Sequence, residues 1–232
     1  MRASGMLAAL VTGSIAFTAF VSPAQADFSF VVNDHTYDVI TTPRTWTAAA
    51  ADAASRTLNG VTGALARVDD RAENDAIFNQ LIANIPSSSF RNTTAPDGGG
   101  GAYAWLGATD RQKDGTWKWD PTNSGAGDQF WSGKNTGSAV GGLFSNWGMT
   151  SGHQNEPDDF GGTQDAAGIS LNGWPLGVRG QWNDLNETNR LYSLVEFATV
   201  PEPGALLPLG LCMTLLRRSR RRAVLIRRRR RC

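Results

Sequence analysis

Residues 146–184 read NWGMTSGHQNEPDDFGGTQDAAGISLNGWPLGVRGQWND. The stretch opens on Asn146-Trp147, carries Glu156-Pro157-Asp158-Asp159 at its centre and closes on Trp182-Asn183-Asp184. Proline fixes its own φ and pushes the preceding residue towards extended geometry, so Glu156 and Asp158 are expected to splay around one turn instead of following a helix. Glu156, Asp158, Asp159, Asp165, Asn183 and Asp184 offer hard oxygens. Calcium takes about six to eight such donors at roughly 2.3–2.6 Å. No soft-metal set competes, because His35 and His153 are far apart in sequence and Cys212 and Cys232 both lie in the C-terminal tail. By residue type alone, an acidic solvated loop is an equally good reading, since single surface carboxylates are ordinary.

Working outward, Trp105-Leu106-Gly107 precedes this stretch and Val195-Glu196-Phe197 follows it. In that order, over about residues 46–197, the motifs resemble the C-type lectin-like domain. The resemblance implies an α+β fold, two helices flanking short antiparallel sheets with a long-loop region at one end. In that family the principal calcium site is built from the two residues flanking the proline, a later glutamate, and the Asn-Asp pair after tryptophan. Glu156, Asp158, Asn183 and Asp184 match by motif, while Gln164 stands where the later glutamate is expected, with Asp165 beside it. One ligand is therefore neutral, which implies a weaker hold on the ion.

An auxiliary calcium site in some members draws on the turn after the Trp-Leu-Gly strand and on residues just beyond the proline. Asp110, Asp114, Asp159 and Asp165 occupy those places here, and four carboxylates brought together repel unless a cation joins them. Glu73 and Glu196 could form a further structural site, with a plain surface pair as the favoured reading. Family members bind sugar through the calcium, whose carboxylate and amide ligands also bond to the coordinated hydroxyls; this assigns Glu156, Asp158, Asn183 and Asp184 to carbohydrate. Glu with Asn around the proline looks mannose-like and Gln with Asp galactose-like. Glu156 with Asp158 is a mixture, so sugar preference does not transfer.

Both ends of the 232-residue chain read as processing signals. Arg2, an apolar run over about residues 6–21 and Ala24-Gln25-Ala26 read as a secretory signal peptide, residues 1–26, with cleavage expected after Ala26. Residues 200–232 begin Val200-Pro201-Glu202-Pro203, continue as an apolar segment and end in arginine clusters. This resembles a PEP-CTERM sorting signal of Gram-negative bacteria, which implies transient inner-membrane anchoring through a transmembrane helix, arginines inside, until an exosortase-type enzyme removes it. Eleven of the 22 basic residues but only one of the 21 acidic ones fall in these two segments. Residues 27–199 therefore carry 11 basic and 20 acidic side chains, a balance of −9, which argues against nucleic acid as a partner. With both cysteines in the tail, this domain has none. Where the family usually places cysteines stand Ala53, Ala166, Glu187 and Val195.

Along residues 27–199, alternation predicts strands over residues 28–32 and 36–40 that close against the last strand. Thr45 is placed to cap a helix reaching about Leu58, and Asp70 with Glu73 forms a capping-box-like start for a second helix to about Asn84. Between them residues 65–68 read as a strand. Residues 87–101 read as a polar connection without legible chemistry, and residues 120–144 as a long Gly/Ser/Asn-rich loop. Residues 103–108, 116–119, 167–171, the neighbourhood of 181–182 and 191–197 read as strands, with Trp105 and Trp119 assigned to packing.

The expected function is an exported calcium-dependent carbohydrate-binding module, secreted or held at the cell surface or in extracellular polysaccharide. The alternative is a non-sugar member acting as a protein-binding or structural matrix component. An enzyme ranks third: no Ser/His/Asp order or cysteine nucleophile is present, and His153 reads as a loop-surface residue.

Overall fold

The computed structural model describes residues 26–198. The leader and the PEP-CTERM-like tail, with Cys212 and Cys232, fall outside the described residues. Among those described, no helix is long and apolar enough to cross a membrane.

Strands β1 (Phe28–Val32) and β2 (His35–Arg44) form a hairpin whose turn, Asn33-Asp34, has both residues at positive φ. Asn and Asp tolerate that region better than other non-glycine residues. The Thr45 hydroxyl caps α1 (Trp46–Ser55) by accepting the Ala48 N–H, and Trp46, Ala49 and Ala53 form its buried face. The helix ends at Ser55, short of the predicted Leu58, because Asn59 and Gly60 turn the chain at positive φ and pair β3 (Thr57–Leu58) with β4 (Val61–Thr62). The strand expected over residues 65–68 is the shorter β5 (Ala64–Leu65), although Ala66 and Val68 are still buried. Asp70 caps α2 (Arg71–Asn84) by accepting the Glu73 N–H at 2.8 Å.

Next come β6 (Tyr103–Thr109) and β7 (Thr116–Trp119). Residues 120–144 are not one loop as expected: they hold β8 (Asp128–Ser132) and β9 (Ser138–Ala139). Only Phe130 and Trp131 are buried in β8, too short an apolar pattern to stand out from its Gly- and Ser-rich surroundings. Then follow the short pair β10 (Met149–Thr150) and β11 (His153–Gln154), then β12 (Ala166–Ser170), β13 (Trp182–Leu185) and β14 (Leu191–Phe197).

The main sheet runs β1-β2-β14-β6-β7-β8-β9, with β12 beside β6, β13 beside β12, and β5 on β14. Pairing of β2 with β14 joins the two ends of the domain, as expected. The architecture is the α+β arrangement predicted, with two α-helices among the described residues.

Behind the long-loop stretch sits an aromatic cluster. Trp117 and Trp147 meet at 4.8 Å, Trp119 and Trp182 at 5.5 Å, both edge to face. Such contacts add roughly 0.5–1.5 kcal/mol each beyond area burial. Trp105 and Trp119 are core residues as expected. At the family's cysteine positions, Ala53, Ala166 and Val195 are fully buried in one apolar cluster and Glu187 is ion-paired with Arg111 at 2.5 Å.

Candidate metal centre and adjoining cavity

Trp182 holds the centre together. Its N–H donates to Asn146 O, its carbonyl accepts the Gly148 N–H, and its indole Nε1 donates to Asn74 Oδ1 at 2.8 Å. The chain from Asn146 to Gly148 thus runs beside β13, and Gly148 O then accepts the N–H groups of Asn155 and Glu156. Glu156 is delivered next to Asn183 and Asp184, which β12 presents by pairing Ala167 with Asp184 and Gly168 with Asn183. The Glu156–Pro157 peptide is cis.

Glu156, Asp158 and Asp184 each offer a carboxylate oxygen within 4.8 Å of the others. Asp184 is fully buried and accepts the N–H of Asp158 at 3.1 Å and of Asp159 at 2.7 Å. Glu156 is 1% exposed. Its Oε1 accepts the Trp174 indole N–H at 2.9 Å, while Oε2 is buried with no protein partner. Asn183 repeats that pattern, with Nδ2 donating to the Tyr103 hydroxyl at 3.1 Å and Oδ1 buried and unmatched. Burial first, and then the neighbouring Asp184 and Asp158 charges, push the Glu156 carboxyl well above its ordinary range. Asp184 is raised chiefly by burial, against its backbone hydrogen bonds. Tyr103 is raised above the usual phenol range by burial.

Leaving a buried acceptor unmatched costs roughly 1–3 kcal/mol, more for a charged group. Two such acceptors beside two further carboxylates form an oxygen set that a hard divalent cation satisfies, so the residues fit calcium.

Gln164 is buried beside the cavity with its amide already engaged. Its Oε1 accepts the Phe160 N–H at 2.7 Å and its Nε2 donates to Asp97 Oδ2 at 3.1 Å. Asp97 also accepts from Asn186 N at 2.8 Å and Asn189 Nδ2 at 2.5 Å. Sequence reading missed Asp97, which lies in the stretch left without chemistry; the turn-forming Pro96-Asp97-Gly98 was the available signal.

The auxiliary set is gathered more loosely. Asp110 is 3% exposed, with Oδ2 accepting the Gly115 N–H at 2.8 Å and Oδ1 buried without a partner. Burial, and then the charges of Asp165 and Asp114, push its carboxyl up to about 7. Asp165 is raised by burial and by Asp159 and Asp114. Asp159 and Asp114 both face Lys134, at 2.7 and 3.6 Å. Among the described residues, the one group of three acids with converging donor atoms is Glu156, Asp158 and Asp184. His153 is exposed, as expected. Glu73 and Glu196 are not the plain surface pair favoured by the sequence. Glu73 is buried, accepting from the Tyr37 hydroxyl and Asp69 N, and Glu196 accepts from Arg67 N and pairs with His35 at 2.6 Å.

A cavity of about 380 Å³ opens on the centre. Glu156, Asp158, Gln164 and Asn183 line one side, and Pro96, Phe160, Trp174, Pro175 and Leu176 supply apolar wall. The Phe160 side of this wall is open to solvent, that residue being 67% exposed.

No family model matches the chain. A 114-residue segment is 28% identical to Halomucin of Haloquadratum walsbyi, covering 49% of this chain and 1% of that much longer protein. Among solved structures, the C-type lectin CEL-I from Cucumaria echinata matches with a TM-score of 0.50 and 20% identity, over 78% of this chain and 99% of the lectin. The EPNH mutant of CEL-I matches equally well in shape, at 0.50 and 19% identity over the same shares. A calcium-independent type II antifreeze protein matches at 0.46 and 18%, over 79% of this chain and 98% of that protein. Residues 26–198 therefore have the C-type lectin-like fold.

Proposed function

We propose that this chain is an exported, calcium-dependent carbohydrate-binding module. The observation that carries the reading is the pair of buried, unmatched oxygens, Glu156 Oε2 and Asn183 Oδ1, beside Asp158 and Asp184 at the mouth of a cavity. Glu156, Asp158, Asn183 and Asp184 would hold the ion, with Gln164 contributing its carbonyl only if the Phe160 N–H shares it. Bound calcium supplies a Lewis acid for vicinal sugar hydroxyls. The carboxylates accept hydrogen bonds from those hydroxyls, Trp174 and Tyr103 hold Glu156 and Asn183 in place, and Phe160 offers an aromatic face to the ring. That the structural neighbour CEL-I is a lectin supports a binding role over catalysis. The leader and tail read from the sequence support export and retention at a Gram-negative surface or in extracellular polysaccharide, after exosortase-type processing.

The test is retention on immobilised glycans in calcium and in chelator, alongside thermal unfolding. At calcium a hundredfold above its Kd, one site adds about 2.7 kcal/mol, or roughly 5–11 °C at about 2–4 °C per kcal/mol for this size. Retention that survives chelation would exclude the reading.

A second reading, a protein-binding or matrix role without sugar, is favoured by one observation. Every side-chain N–H group type lining the cavity, on Gln164, Trp174 and Asn183, already has an internal acceptor, while Met149, Phe160, Leu176 and Val178 are exposed. Pull-down of a matrix protein that persists in chelator separates the two.

A further inference from the structure

Lys134 lies in the turn between β8 and β9, far in sequence from every acid it meets. Its Nζ stands 2.7 Å from Asp159 Oδ2, in the proline-motif loop, and 3.6 Å from Asp114 Oδ2, in the β6–β7 turn. Backbone packing fixes this meeting. The Gly133 N–H donates to Gly115 O at 2.7 Å, both glycines are at positive φ, and a Cβ on Gly115 would lie 3.4 Å from Gly133 Cα. The two turns are thereby stacked, and Lys134, next in sequence, is set over the acids. In the same β6–β7 turn Asp110 keeps a buried oxygen without a partner, and Asp165 feels the charges of Asp159 and Asp114 and, against them, of Arg111.

Asp159 links this cluster to the metal centre. Its Oδ2 takes the ammonium while its N–H donates to Asp184 Oδ2 at 2.7 Å. Its Oδ1 accepts the Gln164 N–H at 3.2 Å. Without the lysine, Asp159 of the proline-motif loop and Asp114 of the β6–β7 turn would face each other unscreened, while Asp165 keeps the charge of Arg111.

We propose that the Lys134 ammonium is a built-in cation that stands in for a divalent ion between Asp114 and Asp159, joining the β6–β7 turn to the proline-motif loop. The loop that presents Glu156 and Asp158 is then tied down before calcium arrives, and only the Glu156–Asp158–Asp184 centre is left to take an ion. The lysine claim stands on its own contacts; the single remaining ion rests on the function proposed above.

The test compares the protein with Lys134→Met, which keeps the stem and removes the charge, and with Lys134→Arg. Lys134 is 46% exposed at its side chain, so neither change threatens the core. Equilibrium dialysis against calcium alone counts ions, and hydrogen exchange in chelator reports on residues 156–165. Lys134→Met is expected to take up one equivalent more than the unsubstituted protein, and its loop amides to exchange at least tenfold faster in chelator. Lys134→Arg is expected to match the parent on both. Adding Glu156→Gln to Lys134→Met removes the first ion and leaves the second, so loss of the centre and loss of the cluster read out separately. An unsubstituted protein that takes up no ion, while Lys134→Met takes up one, supports the lysine claim and overturns the calcium centre. Equal uptake by parent and Lys134→Met, or a loop whose exchange is the same with and without the lysine, overturns the lysine claim.

Discussion

Glu156 combines the properties that the centre requires. It is buried, half hydrogen-bonded and set beside Asp184 and Asp158, so ionisation is costly until a cation joins the three. Replacing it with Gln keeps the volume and the Trp174 bond while removing the charge. Glu156→Gln is therefore expected to be at least as stable as the parent when metal-free at pH 7, and to lose most of the calcium-induced rise in Tm. Differential scanning calorimetry with and without calcium checks both halves. Phe160 tests the neighbouring wall. Its ring is 67% exposed and no hydrogen bond of the centre uses its side chain. Phe160→Ala should leave the calcium shift in place and weaken glycan retention by on the order of tenfold, the scale of a lost aromatic contact of about 1–2 kcal/mol. Frontal affinity on an immobilised glycan distinguishes this from unchanged retention, which would remove Phe160 from the ligand face.

The elements around the centre depend on close backbone approach, and Gly148 is the clearest case. A Cβ there would lie 2.5 Å from the Trp174 ring and 2.6 Å from Glu156 Cγ, so the turn between Trp147 and β10 and the start of the proline motif could not both keep their places. Gly148→Ala is expected to destabilise the protein by about 1–3 kcal/mol, the usual scale of overpacking, and to shrink the calcium shift because Glu156 is displaced. Urea unfolding in calcium and in chelator measures the two effects together. This dependence explains what the sequence made legible. Helix starts at Thr45 and Asp70, the paired ends β2 and β14, and the acids flanking Pro157 carry local signals: caps, alternation, motif. Trp174 and Lys134 carry none, and Asp97 only the turn signal of Pro96-Asp97-Gly98, since each acquires its role by meeting residues at least 18 positions away, Glu156 for Trp174, Gln164 for Asp97 and Asp159 for Lys134. β8 was hidden for a related reason, its two buried residues being too few to mark a strand in glycine-rich surroundings. Burial of Glu73 likewise follows from Tyr37 reaching it across 36 residues.

At the scale of the whole molecule, the acids set how stability follows pH. Glu156 and Asp110 are held above their ordinary values by burial and by neighbouring carboxylates, Asp110 at about 7. A carboxyl whose folded pKa is raised favours the folded state while it is protonated, and that contribution is lost as pH rises through the folded value. Asp120 works the other way: backbone and hydroxyl donors from Ser124, Gly125 and Thr122 outweigh burial and lower it, so its contribution is lost only as pH falls below the ordinary carboxylate range. The balance of −9 over residues 27–199 adds self-repulsion in the same direction as the raised acids. Metal-free protein is therefore expected to be most stable near pH 5 and to lose stability steadily from there to pH 8, by a few kcal/mol at about 1.4 kcal/mol per unit of pKa shift. Under the proposed function calcium is expected to invert this slope, because an ion held by ionised carboxylates competes with protons for them. Tm measured at pH 5, 6, 7 and 8 on metal-stripped protein, and again in excess calcium, should give two curves that converge at pH 5 and diverge above it. Parallel curves would mean that calcium does not draw on the raised carboxyls, and would move the ion away from Glu156 and Asp184.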